Sequence, residues 1–258
     1  MSAPLPSSFH ELPPEEQRRV LRAGHHMTQL AYRHAAAVIV GPPPSIGGPI
    51  NNGSGFVVAV GGRHFLGTAW HVVVAWLHRR EAGERVLFQV RDAELNPTLE
   101  TMWRDEANDV ALIPISEVQA AQIGVSVCDP IRGWPPPHPV QGRYVLLSGF
   151  PGVVRQQEGK RVFLNAMSTL MQVTSVGHSH LVCQLEREHL VSFNENGIPP
   201  HGTDWGGMSG GPVFLVDDLV YPLVGMISEF STDLELLRIA TLSHVPFPPG
   251  KAASECAV

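Results

Sequence analysis

Cysteine is scarce in this chain of 258 residues, and its three cysteines, Cys128, Cys183 and Cys256, show no metal-ligand spacing. Three cysteines, an odd number, do not supply the several disulfides that are typical of secreted proteins of this size. The N-terminal segment Met1–Val20 also lacks the basic and apolar regions of a secretory signal peptide. From these two absences we expect a cytoplasmic protein whose cysteines are buried or tail thiols.

Charge and long apolar runs are also sparse. Charged residues make up 16% of the chain, the formal net charge is −6, and the densest basic spot in the barrel region is the pair Arg79 and Arg80. A nucleic-acid surface needs a larger basic patch that follows the phosphates. No apolar run approaches the roughly 20 residues that a membrane-spanning helix needs. We therefore expect neither nucleic acid nor a membrane as a partner.

Glycine and proline, by contrast, are plentiful, with 25 and 23 residues. This composition favours many short strands joined by turns over long helices. The exception is the segment from Ser8 to about His34, where two prolines, two glutamates and apolar residues at helical spacing predict a helix. We predict a helical N-terminal extension, residues 1–34, packed on the outside of the main domain, with a docking or regulatory arm as the alternative.

Short β-rich runs begin at Ala35 and are interrupted once. The segment Cys128–Gly142 carries five prolines, which a sheet interior does not accept, so residues 128–142 are predicted to connect two halves. This pattern predicts an all-β fold of two antiparallel barrels, residues 35–127 and 143–245, with a flexible tail over 246–258. The strands predicted for the two halves are Ala36–Val40, Gly55–Val60, His64–Trp70, Val86–Val90, Leu99–Trp103 and Asp109–Ile115, then Tyr144–Gly149, Arg161–Val176, His180–Gln184, Gly211–Val216, Leu223–Ser228 and Leu236–Val245.

Two segments of the first half hold candidate polar site residues. His71 follows a probable hairpin and strand in GSGFVVAVGGRHFLGTAWHVV, but a single histidine of thirteen is more often structural. Asp109 opens the apolar run in EANDVALIPI, where a carboxylate beside a buried strand needs a partner. A histidine is one such partner, and turn amides are the alternative.

The third segment, DWGGMSGGPVF, surrounds a serine with glycines. Ser209 lies between Gly206-Gly207 and Gly210-Gly211. Glycines permit strained backbone angles and close approach of a substrate, and they leave successive N–H groups free to point at a developing oxyanion. An ordinary glycine-rich turn is the alternative for this segment considered alone.

Together the three segments resemble the trypsin/chymotrypsin-like serine peptidases. GTAWHVV is similar to the family's TAxH(C/V)V histidine motif, NDVALI to its DIAL(L/I) aspartate motif, and GGMSGGPVF to its GxSGGP serine motif. The order His71, Asp109, Ser209 also matches, and LVGMIS resembles the strand that follows the nucleophile. The resemblance covers residues 35–245 and implies two six-stranded, chymotrypsin-like barrels without a cofactor or a metal.

The resemblance also implies roles for individual residues. Ser209 is the nucleophile, His71 the general base and Asp109 the residue that orients the imidazole. The backbone N–H groups of Gly207 and Ser209 form the oxyanion hole. The residues implied to border the substrate and the first specificity pocket are Thr203, Asp204, Ser228, Glu229 and Phe230.

Two positions near the serine bear on activation and specificity. Trypsin-like zymogens carry an aspartate just before the nucleophile, whereas this chain has Met208, so we expect it to fold directly into a potentially active form. Thr203 occupies the position of the pocket base, which favours a neutral or apolar substrate side chain. Asp204 and Glu229 would favour a basic one if their carboxylates pointed inward.

These observations predict a serine endopeptidase acting on a protein or peptide, with limited regulatory proteolysis in the cytoplasm as its role and the N-terminal helix as the site for a regulatory partner. One alternative is a catalytically silent binding module of the same fold, with a cleft blocked by a loop such as Val191–Asp204. The other is an α/β-hydrolase, because GMSGG also fits the G-x-S-x-G elbow and His244 follows it.

Overall fold

Two antiparallel β-sheets form the body of the protein. The computed structural model describes residues 9–130, 133–158, 161–187, 199–217 and 220–246. Cys256, most of the predicted tail and most of the loop Val191–Asp204 lie outside these ranges. Within these ranges the α-helices are α1 (Pro14–His34), α2 (Trp70–Glu81) and α3 (Glu117–Ile123).

The first sheet curls into a half-barrel of seven strands, in the order β5-β4-β1-β2-β3-β7-β6. Its two edge strands, three residues each, do not pair with one another, so the sheet stays open where a closed barrel of six strands was predicted. The strand predicted at Leu99–Trp103 is likewise wrong, since a turn occupies residues 98–101 and the strand starts only at Trp103. The strands are β1 (Ala35–Gly41), β2 (Asn51–Val60), β3 (Arg63–Ala69), β4 (Leu87–Val90), β5 (Ala93–Leu95), β6 (Trp103–Asp105) and β7 (Val110–Ile115).

The second sheet is a closed barrel of six strands, in the order β11-β12-β15-β14-β13-β8, with β8 pairing back onto β11. A hairpin of β9 (Gln156–Glu158) and β10 (Arg161–Phe163) stands apart from it. This confirms the predicted second barrel and, with the half-barrel, the all-β two-barrel fold with an N-terminal helix. The barrel strands are β8 (Tyr144–Gly149), β11 (Met167–Val176), β12 (His180–Gln184), β13 (Pro212–Leu215), β14 (Leu223–Ser231) and β15 (Leu236–Thr241).

A shared apolar cluster joins the two sheets. Phe56 and Val58 of β2 are fully buried in one cluster with Leu146 of β8, Phe214 of β13 and Met226 of β14. Burial of each such side chain contributes about 1.5–3 kcal/mol. Because this cluster fixes one sheet against the other, the junction between them is a firm place to assemble residues from both halves.

Helix α1 packs on the outside of the second barrel, against β8, β11 and β13. Pro14 begins the helix, and Glu15 and Glu16 lie in its first turn, where negative charge favours the helix dipole. Its inner face buries Ala31 completely and packs Met27 against the cluster between the sheets. In the part of the chain that the structure describes, no helix is both long and apolar enough to cross a membrane.

Helix α2 follows β3 directly and belongs to the first half. Val72, Val73 and Trp76 are buried on one face, at the spacing that packs a helix onto a sheet. The basic pair found in the sequence lies in its last turn, where Arg79 donates to Glu84 at 2.7 Å and Arg80 stacks over Trp76. These arginines therefore cap and cover a helix, and the first turn of the same helix holds His71.

Candidate active site

His71 and Asp109 form a doubly hydrogen-bonded pair. The His71 backbone N–H donates to Oδ1 of Asp109 at 2.8 Å, and His71 Nδ1 lies 2.8 Å from Oδ2. Because an ionised carboxylate only accepts hydrogen bonds, Nδ1 carries the proton. In the neutral ring the lone pair is then on Nε2, which is the nitrogen a general base uses.

The backbone at Asp109 is held in a left-handed conformation. Its φ is +59°, so β7 begins one residue later than the predicted strand. Such a conformation costs a non-glycine residue on the order of 1 kcal/mol or more, and aspartate tolerates it better than most. The Trp70 N–H donates to the Asp109 carbonyl at 3.1 Å, so bonds from two successive residues at the start of α2 hold Asp109 in place.

Two glycines flanking Ser209 have conformations and surroundings that exclude a side chain. Gly207 has a φ of +100° and Gly210 a φ of +89°. A Cβ on Gly207 would overlap the Asn52 amide, and one on Gly210 would overlap the Ser54 carbonyl. These contacts explain why the segment is rich in glycine: the loop that holds Ser209 runs directly against β2 of the other sheet.

The peptide groups before and at Ser209 are oriented by hydrogen bonds on their carbonyl sides. The Gly206 carbonyl accepts from Gly152 N–H at 2.7 Å, and the Met208 carbonyl accepts from Gly211 N–H at 2.9 Å. In a trans peptide the C=O and the following N–H point in opposite directions. The N–H groups of Gly207 and Ser209 therefore point away from those partners, and neither has an acceptor among the described residues. Two free donors, one residue apart, have the form of an oxyanion hole.

Ser54, on β2, connects the first sheet to this loop and has no exposed surface. Its hydroxyl donates to the Gly207 carbonyl at 2.7 Å and accepts from Phe150 N–H at 2.9 Å. Its backbone N–H donates to the Ser209 carbonyl at 2.8 Å. Sequence reasoning gave this serine no role, although a small polar residue between glycines at the start of an apolar strand was the available signal.

We predict that Ser54→Ala lowers kcat roughly tenfold to a hundredfold and leaves KM nearly unchanged. Alanine removes the hydrogen bonds to Gly207 and Phe150, so the loop is no longer held in one conformation. Ser54 does not line the cavity, so substrate binding should change little. Steady-state kinetics checks this, with Ser168→Ala as the control because Ser168 bonds to Ser148 within the second barrel at 2.8 Å. Equal kinetics for the two variants would contradict the role given to Ser54.

One cavity of about 470 Å³ collects most of the residues that the sequence singled out. Its described lining includes the triad candidates His71, Asp109 and Ser209, and four further predicted site residues, Asp204, Ser228, Glu229 and Phe230. Thr203 does not line this cavity, and its hydroxyl donates instead to the Pro200 carbonyl at 2.6 Å. The lining residues absent from the sequence prediction are Ala107, His180, Trp205, Gly206, Met208, Ile227 and Arg238.

A second contact between the halves lies behind Asp109. His244 Nε2, after β15, is 3.4 Å from Oδ2 of Asp105, which also accepts from the Asn108 N–H at 3.1 Å and its side-chain amide at 2.5 Å. Burial by itself raises the pKa of Asp105, but the Asn108 bonds and the nearby His244 outweigh it and lower the pKa. The ionised Asp105 carboxylate thus holds Asn108, the residue next to Asp109 in the chain. His244 of the second half lies against the same carboxylate.

The described residues offer little support for other chemistry. No group of three or more His, Cys, Asp or Glu residues within the described ranges is placed to hold a metal ion. Cys128 and Cys183 are buried, and burial raises the pKa of the Cys183 thiol to about 12. Such thiols are inert as nucleophiles at neutral pH.

Comparison with known proteins gives matches in structure only. No protein-family model matches the chain, and no curated protein is similar to it in sequence. The protease Anisep of Arthrobacter nicotinovorans is 16% identical, with 81% of this chain and 90% of that chain covered and a TM-score of 0.43. The Rv3671c protease of M. tuberculosis in its active form is 17% identical, with 93% and 88% covered and a TM-score of 0.45. A serine endoprotease of Yersinia pestis is 18% identical, with 83% and 61% covered and a TM-score of 0.47.

The fold of this chain is read from its own strands. A closed antiparallel barrel follows a curled antiparallel half-barrel, with a cavity at their junction. The chain therefore has a chymotrypsin-like two-barrel architecture.

Proposed function

We propose that this protein is a serine endopeptidase that cleaves peptide bonds through Ser209, His71 and Asp109. The observation that carries the proposal is the hydrogen-bonded pair of His71 and Asp109 lining the same cavity as Ser209. Its support from sequence is the ordered set of three motifs that hold these residues.

The proposed reaction proceeds by acyl transfer. Ser209 Oγ attacks the substrate carbonyl carbon while His71 Nε2 takes the hydroxyl proton, and the N–H groups of Gly207 and Ser209 stabilise the resulting oxyanion. His71 returns the proton to the leaving amine as the C–N bond breaks, which leaves an acyl-enzyme ester on Ser209. Water then attacks this ester with the same proton transfers, and Asp109 stabilises the imidazolium in both halves.

The residue before the nucleophile supports a site that forms without cleavage of the chain. Met208 is 1% exposed and packs in the core of the second barrel with Trp205 and Ile227. An apolar side chain in this position has no charge to pair with a new N-terminus. We therefore propose that the oxyanion hole depends on the Gly152 and Ser54 hydrogen bonds instead.

The rival functions differ in what they require of Ser209. An α/β-hydrolase needs a nucleophile elbow on a parallel sheet, whereas the sheets here are antiparallel. A silent binding module of the same fold requires only the cavity, without an activated serine.

A fluorophosphonate probe tests the proposed function directly. We expect purified wild-type protein to gain one probe mass in intact mass spectrometry and Ser209→Ala to gain none, because only a serine beside a general base reacts at a useful rate. Ser168→Ala serves as the folded control that keeps Ser209 and its loop, because Ser168 bonds to Ser148 within the second barrel. Equal absence of label from wild type and Ser209→Ala would instead favour the binding module.

We propose regulated limited proteolysis in the cytoplasm as the biological role, with α1 as the docking element. The inner face of α1 is covered, whereas Val20 and Tyr32 on this helix are 41% and 47% exposed. A partner would therefore meet the outer face. Unchanged labelling and unchanged recovery of bound proteins after Val20→Ser and Tyr32→Ser together would remove α1 from this role.

A further inference from the structure

One wall of the cavity carries two hydrogen-bond donors that the reaction does not use. Arg238 on β15 pairs in register with Val182 of β12 and Glu229 of β14, and His180 lies at the start of β12. Both line the cavity that holds Ser209. They come together because the strand order of the barrel places β12 beside β15, although 58 positions separate the two residues in the chain.

The contacts of His180 determine which of its nitrogens donates. Arg238 Nη2 lies 3.3 Å from His180 Nδ1, and Ser179 Oγ lies 2.9 Å from the same nitrogen. A guanidinium group only donates, so Nδ1 is an acceptor and Nε2 carries the hydrogen. Burial, followed by the positive charge of Arg238, lowers the pKa of His180 and keeps the ring neutral. The wall thus offers a guanidinium and a neutral N–H donor.

Three carboxylates also line the cavity, and two of them accept hydrogen bonds from the protein. Both Asp109 oxygens accept from His71, and Asp204 Oδ1 accepts from the Gly206 N–H at 2.8 Å. The carboxylate of Glu229 approaches Arg238 Nη1 only to 3.9 Å, and its side chain is 69% exposed. An ion pair this long and this hydrated is weak, so Glu229 does not neutralise Arg238 effectively. Among the described residues, Arg238 therefore has no carboxylate within hydrogen-bond distance.

We infer that the cavity selects an acidic side chain, so that the residue on the acyl side of the cleaved bond is glutamate or aspartate. This inference rests on the proposed function. A guanidinium matches the two oxygens of a carboxylate, and hydrogen bonds between charged groups are about twice as strong as neutral ones. Trp205 and Phe230, whose rings lie 5.3 Å apart, add an apolar surface for the methylene groups of the substrate. This preference for an acidic side chain differs from the neutral or apolar preference that we expected from Thr203. The difference arises because Thr203 does not line the cavity.

The test compares four fluorogenic peptides that differ only in the residue before the cleaved bond, which is glutamate, glutamine, valine or lysine. We expect kcat/KM for the glutamate peptide to exceed that for the isosteric glutamine peptide at least about tenfold. Arg238→Gln should bring this ratio close to one, and Glu229→Gln should raise it. Arg143→Gln is the matched control, because Arg143 pairs with Asp217 at 2.8 Å and does not line the cavity.

The possible results distinguish a failure of this inference from a failure of the proposed peptidase function. Labelling of Ser209 together with equal cleavage of the glutamate and glutamine peptides would overturn the acidic selection and leave the peptidase intact. An unchanged glutamate-to-glutamine ratio in Arg238→Gln would overturn it as well. If no peptide were cleaved, calorimetric binding of acetylated peptides ending in glutamate or glutamine to Ser209→Ala would decide: tighter binding of the glutamate peptide supports the selection, and equal affinity overturns it.

Discussion

His71→Ala is expected to lower kcat about 10⁶-fold on any peptide that the wild type cleaves. Without the imidazole, Ser209 has no base to take its proton and the leaving amine has no acid to protonate it. The fold should survive, because the His71 side chain is 55% exposed and contributes little to the core. Steady-state kinetics and a thermal melt of the same preparation check both statements.

The matched control for this variant is His78→Ala. His78 lies in the last turn of the same helix, α2, and does not line the cavity. It should retain wild-type turnover. A loss smaller than about a hundredfold in His71→Ala would show that another group acts as the base, since general bases contribute at least that much.

Asp109→Asn should lower kcat about 10⁴-fold at neutral pH. Asparagine tolerates the left-handed backbone at this position, where φ is +59°, so the loop conformation is retained. The Asn amide, however, donates toward Nδ1 of His71 instead of accepting from it. The ring then places its proton on Nε2, which is the wrong nitrogen for accepting the Ser209 proton.

The measurement is kcat together with the melting temperature, with Asp92→Asn as a surface control, since Asp92 is exposed and lies outside the cavity. We expect an almost unchanged melting temperature beside the large loss of turnover. A variant within tenfold of wild-type kcat would show that Asp109 does not set the tautomer of His71.

Short motifs in the sequence were enough to propose His71, Asp109 and Ser209 as a triad, because each motif is local. The glycines that flank the serine are one example. Gly207 and Gly210 have a positive φ, which other residues rarely adopt, so these two positions require glycine. The alternation and turn chemistry of the second half likewise predict its barrel strands. Such features are readable because they depend on the residue itself and its immediate neighbours.

The residues around these three were decided by the tertiary structure. Ser54 meets Gly207 across 153 positions, and Arg238 meets His180 only because β12 and β15 are neighbours in the closed barrel. The pair of Asp105 and His244 likewise joins the two halves. None of these contacts has a local pattern, because pairing partners are fixed by strand order and register. The sequence by itself therefore determined the chemistry available at the junction, whereas strand order and register decided which buried and charged side chains surround it.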